Sequence, residues 1–582
     1  MDAAAPIVEA RRLMGPNLFS SRMGAALEVE PEREPGGAEL FTRAWVHFAR
    51  ALSAAIGWPE PEIHVRTRRA ATSLFLSAPI DGLMTATEVA EVAWALAQRG
   101  ARERQSGAID PDMIASLSSM ATDERRKHSG LAAIHAEAIA RKVCVTFDDE
   151  ALTLGSGAGA RTWLFGDIPA VRDVPWSEIT DARIALVTGS NGKTTTTRLV
   201  AAMWRAHGGA PGWCCSDGVW IGGTQVEAGD FSGPVGARRV LRAPHVDAAV
   251  IECARGGMLR RGLAMSRADA AIITNIAADH FGEYGVENLE DLTHAKRIVE
   301  RVLSSDGWLV LNADDARLAA IAQTTGARVA LFAASGPNAV IDAHVAGGGN
   351  AASVRDGRVA LHRDRAWHDM GGVDAMPLTI HGAAPHNIEN ILGALLLANA
   401  IGASIEGMRA TLATFGASNR DNPGRLQRYE FGGVSVLVDY AHNPDGLAAL
   451  CETARSMPAN RRLLLLGQAG NRDDEEIRDL ARVALRLIPF DHVIIKEELK
   501  LLRGRSEGDV PRILLDELDR LGVPGDRVET TRDEVAAMRR AFAWARAGDL
   551  LVCPIHVDKA DVLAWLGRVS DTEWTPGNPV PH

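Results

Sequence analysis

The run Thr188-Gly-Ser-Asn-Gly-Lys-Thr-Thr-Thr-Thr197 puts glycine, lysine and hydroxyl groups in an order suited to holding a polyphosphate. Gly189 and Gly192 can turn backbone N–H groups, with those of Asn191 and Thr195, toward phosphate oxygens. Lys193 can reach the β- and γ-phosphates of a nucleotide, and the Thr194 hydroxyl can ligate Mg²⁺. Val187 stands where the common G-x-x-x-x-G-K-[ST] loop has its first glycine, so the run has the shorter G-[ST]-N-G-K-T form. Two further segments offer oxygen and nitrogen donors. Val250-Ile-Glu252 ends an apolar run in a carboxylate, and Ile272-Ile-Thr-Asn-Ile-Ala-Ala-Asp-His280 delivers Asn275, Asp279 and His280 to the same rim. A hard cation prefers oxygen, which makes Thr194 and Glu252 candidate Mg²⁺ ligands and His280 a nitrogen ligand for a second metal.

These groups need a scaffold that brings strand ends together. Ile184-Ala-Leu-Val187 before the loop and Arg198-Leu-Val-Ala-Ala-Met203 after it read as strand and helix. Short apolar runs at 246–252, 270–275 and 307–312, each followed by a polar loop, predict a mostly parallel, doubly wound sheet with its ligands at the carboxyl ends of the strands. The α/β reading has three parts. An N-terminal α+β domain is expected over 1–170, with helices near 85–98 and 110–126, a strand at 143–147, and Gly155-Ser-Gly-Ala-Gly159 as loop and linker. A central P-loop domain is expected over 177–420. After the break at Asn419-Arg-Asp-Asn-Pro-Gly424, strands at 434–439, 461–467, 492–495 and 549–554 predict a Rossmann-like α/β lid domain over 421–570, with 571–582 a flexible tail.

The bulk numbers exclude several classes. The 582 residues exceed what one core supports, and 46% hydrophobic residues suit globular material. No apolar run approaches the roughly 18–20 residues of a bilayer span, and the N-terminus lacks the basic flank and apolar segment of a secretory signal. A cytoplasmic location is expected, with no membrane partner. The formal charge of −11 argues against nucleic acid. Six cysteines without a C-x-x-C pair are too sparse for a disulfide framework, and the adjacent Cys214 and Cys215 read as small buried thiols.

Six motifs occur in an order that resembles Mur ligases: Thr188-Gly-Ser-Asn-Gly-Lys-Thr194, Thr274-Asn-Ile-Ala-Ala-Asp-His280, Leu311-Asn-Ala-Asp-Asp315, His386-Asn-Ile-Glu-Asn390, Asn422-Pro-Gly-Arg425 and Asp439-Tyr-Ala-His-Asn-Pro444. The resemblance runs from about 177 to 567. Cys215-Ser-Asp-Gly-Val-Trp220, Glu252-Cys-Ala-Arg-Gly-Gly-Met-Leu259 and Leu502-Arg-Gly-Arg505 look like the cyanophycin synthetase branch, and Gly15-Pro-Asn-Leu-Phe-Ser20 resembles the opening of that branch's first domain. That branch carries an ATP-grasp domain between its first domain and its Mur half; here the first domain runs straight into the Mur half. His47, His64, His128 and His135 form no H-x-x-E-H-like group, so the first domain reads as a structural or docking unit rather than a zinc peptidase.

The resemblance implies an ATP-dependent ligase that activates a carboxylate as an acyl phosphate for attack by an amine, with ATP and Mg²⁺ as cofactors. It implies catalytic roles for Lys193, Glu252, His280 and Lys296, the last near the place of a carbamylated lysine in many members, with a surface helix lysine as the competing reading. Asn387 resembles the adenine contact. Arg425 and Asp439 resemble hinge-side residues that reach phosphates and ribose on closure. Asn471 replaces the first aspartate of the family's G-D-R-D motif. The implied partners are an amino acid, a carboxylate-bearing peptide or polymer, a separate ATP-grasp ligase and further copies of the chain. A folylpolyglutamate- or peptidoglycan-type ligase and a non-catalytic ATP-binding assembly protein are the alternatives. Glu497 and Glu498 could select a basic substrate, but a solvent-facing role weighs more in this reading.

Overall fold

The computed structural model describes residues 6–30, 37–58, 60–68, 71–103, 109–278 and 281–581. At the centre lies an eleven-stranded sheet. Its neighbours run parallel from Pro211–Cys215 through Ala248–Glu252, Arg183–Thr188, Ala268–Ile273, Leu303–Asn312 and Arg328–Ala333 to Asn350–Arg355, and antiparallel hairpins extend both edges. Side chains alternate across each strand. Ile184 and Leu186 enter one core with Ile251 and Ile273, whereas Ala185 and Val187 enter the other with Val250 and Ile272. Burial on both faces explains why these strands read as unbroken apolar runs. Helices Lys193–His207 and Pro385–Ile401 cover the second face.

The last unit holds a six-stranded sheet. Its edge strand Gln427–Phe431 is antiparallel to Val434–Asp439, and Leu550–Pro554, Arg462–Leu466, His492–Lys496 and Val528–Thr531 follow in parallel. The first unit holds a four-stranded antiparallel sheet and a three-stranded one. The expected helix near 110–126 is Pro111–Lys127, where the Asp110 side chain caps the first turn by accepting from the Asp112 N–H.

Two stretches depart from expectation. Residues 155–159 form a packed seam rather than a free linker. A Cβ on Gly157 would stand 2.0 Å from the Val246 carbonyl oxygen, and one on Gly159 would stand 2.1 Å from Thr180 Oγ1, so these glycines allow close backbone approach. Residues 571–581, expected as a flexible tail, return to the last unit. Trp574 is buried in its core, Val580 packs beside it, and Trp565 Nε1 donates to the Pro581 carbonyl at 3.0 Å. Large aromatic surface holds this segment where composition alone suggests fraying.

The first unit is anchored close to the central strand ends. Met14 N–H donates to the Arg261 carbonyl and Leu263 N–H to that of Pro16, so 14–16 lie on the segment that follows Glu252. Buried Arg11 donates to Glu28 at 2.6 Å and to the Leu259 carbonyl at 3.2 Å, and Arg66 pairs with Asp291.

Candidate active site

A cavity of about 490 Å³ opens where the central strand ends face the last unit, lined by the 190–195 loop, Glu252, Asn275, the start of helix Pro385–Ile401, and residues 439–446. Its floor is the phosphate-type loop. Gly192 has φ +84°, and a Cβ there would lie 2.1 Å from Asn390 Oδ1; one on Gly189 would lie 1.8 Å from Thr274 Oγ1. Only glycine fits either position. Neighbouring strand ends hold the loop rigid. Thr274 Oγ1 donates to the Asn191 carbonyl at 2.6 Å, Asn275 Oδ1 accepts from the Asn191 N–H at 2.8 Å, and the Ser190 N–H donates to the Asn275 carbonyl at 3.0 Å.

Thr194 lies in the first turn of helix Lys193–His207 and donates through Oγ1 to Glu252 Oε2 at 2.9 Å. Glu252 is 2% exposed, and burial raises its carboxyl above the usual range, a shift that Lys193 and Arg425 oppose. A hydroxyl and a carboxylate oxygen side by side beneath a helix N-terminus form a donor set that fits Mg²⁺. Lys193 Nζ donates to the carbonyls of Gly189 at 3.1 Å and Ser190 at 2.9 Å, and Lys296 Nζ reaches the same Gly189 carbonyl at 2.7 Å. Lys296 is only 3% exposed, which corrects the surface-lysine alternative.

Arg425 enters from the hinge. Its Nη2 lies 3.0 Å from Ser216 Oγ and 3.4 Å from Thr194 Oγ1, its guanidinium covers the Tyr440 ring at 4.3 Å, and its buried Nε has no hydrogen-bond partner. An orphaned guanidinium N–H beside a phosphate-type loop suits an anion. Asp439 accepts from the backbone N–H groups of Leu426 at 2.6 Å and Ala441 at 2.8 Å, so it fixes the hinge. Thr195 Oγ1 accepts from Asn422 at 3.0 Å. Asn387 is buried, donating to the Leu378 carbonyl at 3.0 Å and accepting from Asn390 at 3.1 Å. Asp279 and His280 lie outside the described residues.

Sequence reasoning missed a charged junction across the domains. Asp217 pairs with Arg198 at 2.7 Å and with Lys559 of the last unit, while Arg198 also donates to Asn422. Burial lowers Lys559 despite Asp217, whereas Asp217 lies below its usual range because Arg198, Arg425 and Lys559 together outweigh its own burial. Asp217 sits inside the quoted 215–220 motif, the one available signal. The other correction concerns Glu497 and Glu498, which are buried rather than solvent-facing. Glu497 accepts from the Gly508 N–H at 2.6 Å. Lys496 pairs with Glu498 at 3.1 Å and Glu534 at 2.5 Å, and His556 Nδ1 meets Glu498. Among the described residues Glu498, Glu534 and His556 are close enough to share a metal, but the Lys496 ammonium already lies among them.

Known proteins resemble this chain over its central and last units. The Mur ligase middle domain matches residues 187–398, and the Mur ligase glutamate ligase domain matches 424–554. The chain is 36% identical over 413 residues to cyanophycin synthetase of Trichormus variabilis, covering 70% of this chain and 45% of that protein. It is 28% identical over 511 residues to UDP-N-acetylmuramoyl-L-alanyl-D-glutamate--2,6-diaminopimelate ligase of Chlorobaculum tepidum, covering 78% of this chain and 93% of that one. Among solved structures, E. coli FolC in complex with DHPP and ADP matches at 19% identity over 66% of this chain and 89% of that one, with a TM-score of 0.47. The chain thus spans less than half the length of the cyanophycin synthetases it matches.

Proposed function

The chain belongs to the Mur ligase family, carrying its middle and C-terminal domains and homologous to cyanophycin synthetase, and from that premise we propose an ATP-dependent, ADP-forming ligase that joins an amino acid amine to a carboxylate on a peptide or polymer of the cyanophycin type. The observation that carries this reading is the Thr194–Glu252 oxygen pair beneath a glycine-built loop, with Lys193, Lys296 and Arg425 converging on it.

In this reading the loop N–H groups and Lys193 hold the β- and γ-phosphates, and Lys193 draws negative charge off the γ-phosphate as the acceptor carboxylate approaches. Thr194 and Glu252 would hold Mg²⁺, which when bound neutralises phosphate charge. Arg425 swings in with the hinge, and its orphaned Nε supplies a further donor to the transferring group. Lys296, which donates to the Gly189 carbonyl, would serve the acyl end either as an ammonium or, once carbamylated, as a carboxylate-like ligand for a second metal, and His280 would take the second-metal role that its motif implies. Closure of the last unit excludes water, which would otherwise hydrolyse the activated carboxylate.

No helix among the described residues is long and apolar enough to cross a membrane; a cytoplasmic location is a separate part of the proposal. A separate ATP-grasp ligase would supply the complementary bond, the first unit would dock polymer or partner, and assembly into a homo-oligomer is part of the same proposal. The test is ADP release with Mg²⁺-ATP, screening the common amino acids and diaminopimelate against short acidic peptides and β-aspartyl-arginine peptides, with mass spectrometry of the product. Amide product stoichiometric with ADP is expected. ADP formation with no amide under any pairing would overturn the ligase reading.

A further inference from the structure

Glu389 has no role in the account above, yet it faces the cavity that the nucleotide would fill. Its one side-chain hydrogen bond is from Asn312 Nδ2 to Oε2 at 3.3 Å. The charged groups bearing on it are Asp314 and Asp315, from the turn after strand Leu303–Asn312, and Asp445, from the first turn of helix Pro444–Ser456; no lysine or arginine pairs with it among the described residues. On its own helix His386 carries a buried Nδ1 without a partner. A half-buried carboxylate facing three acids and no cation is costly unless a donor arrives from the cavity.

Its place along the sheet suggests which donor. The phosphate loop follows strand Arg183–Thr188, and Ala268–Ile273 and then Leu303–Asn312 are the next strands in order. At about 4.8 Å per strand, Asn312 and the Glu389 bonded to it stand roughly 10 Å along the rim from the phosphate loop, a span that would carry them past the ribose of a nucleotide held there. Asn387 is already engaged by Leu378 and Asn390, so its neighbour on the same turn is the freer group to face the base.

We propose that Glu389 reads the exocyclic amino group of the purine, making it a specificity-determining residue for a 6-amino over a 6-oxo base; this rests on the ATP reading given under Proposed function. An ionised carboxylate only accepts hydrogen bonds. It therefore takes an amino hydrogen of adenine and repels the O6 of hypoxanthine. Burial and the flanking acids raise the Glu389 carboxyl to about 7. Below that pH the protonated group can donate to O6, and discrimination weakens.

The experiment titrates the full-length chain and its E389Q variant with Mg²⁺-ADP and Mg²⁺-IDP by calorimetry at pH 8 and pH 6, with K193A as the control for the nucleotide site. At pH 8 the native chain should prefer ADP by at least about tenfold, and less at pH 6. E389Q, whose amide both donates and accepts, should bring the two nucleotides within about threefold at either pH. Equal affinities in the native chain, or an unchanged preference in E389Q, overturn the inference while ADP binding that K193A abolishes leaves the nucleotide reading intact. Failure of the native chain to bind either nucleotide overturns both.

Discussion

Two charged regions of this molecule solve opposite problems. In the last unit, Lys496, Glu498, Glu534 and His556 pair their charges with one another inside the protein, with only Glu498 Oε2 left without a hydrogen bond, and Glu534 also accepts from the backbone N–H groups of His556, Val557 and Asp558. Around the cavity, Lys193 rests on the Gly189 and Ser190 carbonyls, Arg425 keeps an unpartnered Nε–H, and Glu389 has a single amide donor, Asn312, and acids for charged neighbours. Paired buried charges mark structure, whereas charges held in place without full pairing mark a site prepared for something else.

The sharpest way to break that contrast is to remove a partner from the closed network. Glu534→Gln should destabilise the chain by about 3 kcal/mol, because it leaves the buried Lys496 ammonium short of a counter-charge; chemical denaturation measures this, and an unchanged midpoint would mean the network is not structural. The cavity should respond in the reverse sense. Lys193→Ala is expected to lower turnover on the order of 10²–10³-fold with little change in melting temperature, and a large loss of stability would assign the lysine to folding.

Proton linkage separates the regions again. Burial would raise Glu498 and Glu534, but His556 and Lys496 overcome it and hold both below the usual carboxylate range. Such groups bind protons more readily in the unfolded chain, so their contribution is present above about pH 4.3 and is lost as pH falls through their native values. Glu389, raised to about 7, runs the other way. Its protonated form favours the native state, a contribution lost as pH rises from the unfolded value through 7. Glu389→Gln should flatten stability between pH 5 and 8, and a stability profile of the variant identical to that of the native chain would remove Glu389 from the account. The smallest effect belongs to the junction between the two regions. Lys559→Met should weaken nucleotide binding roughly fivefold, about 1 kcal/mol for a partly exposed ion pair, as read by ADP titration.

Much of this arrangement is legible in the chain itself. The loop at 188–194 declares itself because glycine, lysine and threonine must follow one another in sequence to surround a phosphate, and the strand 434–439 has the residue limits that its apolar run predicts. Relations between distant residues are not so declared. Asp217 and Lys559 are 342 positions apart, and neither pattern nor period connects them. Glu498 is the same residue type whether it faces water or a buried lysine, so composition favours the exposed reading that the fold overturns. The closing residues look frayed because proline and glycine are frequent there, and only the tertiary position of Trp565 and Trp574 gives them a place to pack.

The six buried cysteines also carry a practical consequence. Burial pushes the thiols of Cys144, Cys215, Cys253 and Cys451 up to about 12 and raises those of Cys214 and Cys553 as well. None presents the thiolate that maleimide or iodoacetamide chemistry requires. The native chain is therefore a silent background for labelling. A single cysteine introduced at exposed Arg428, and another at exposed Thr224, would take a fluorophore pair and report the opening of the hinge in real time.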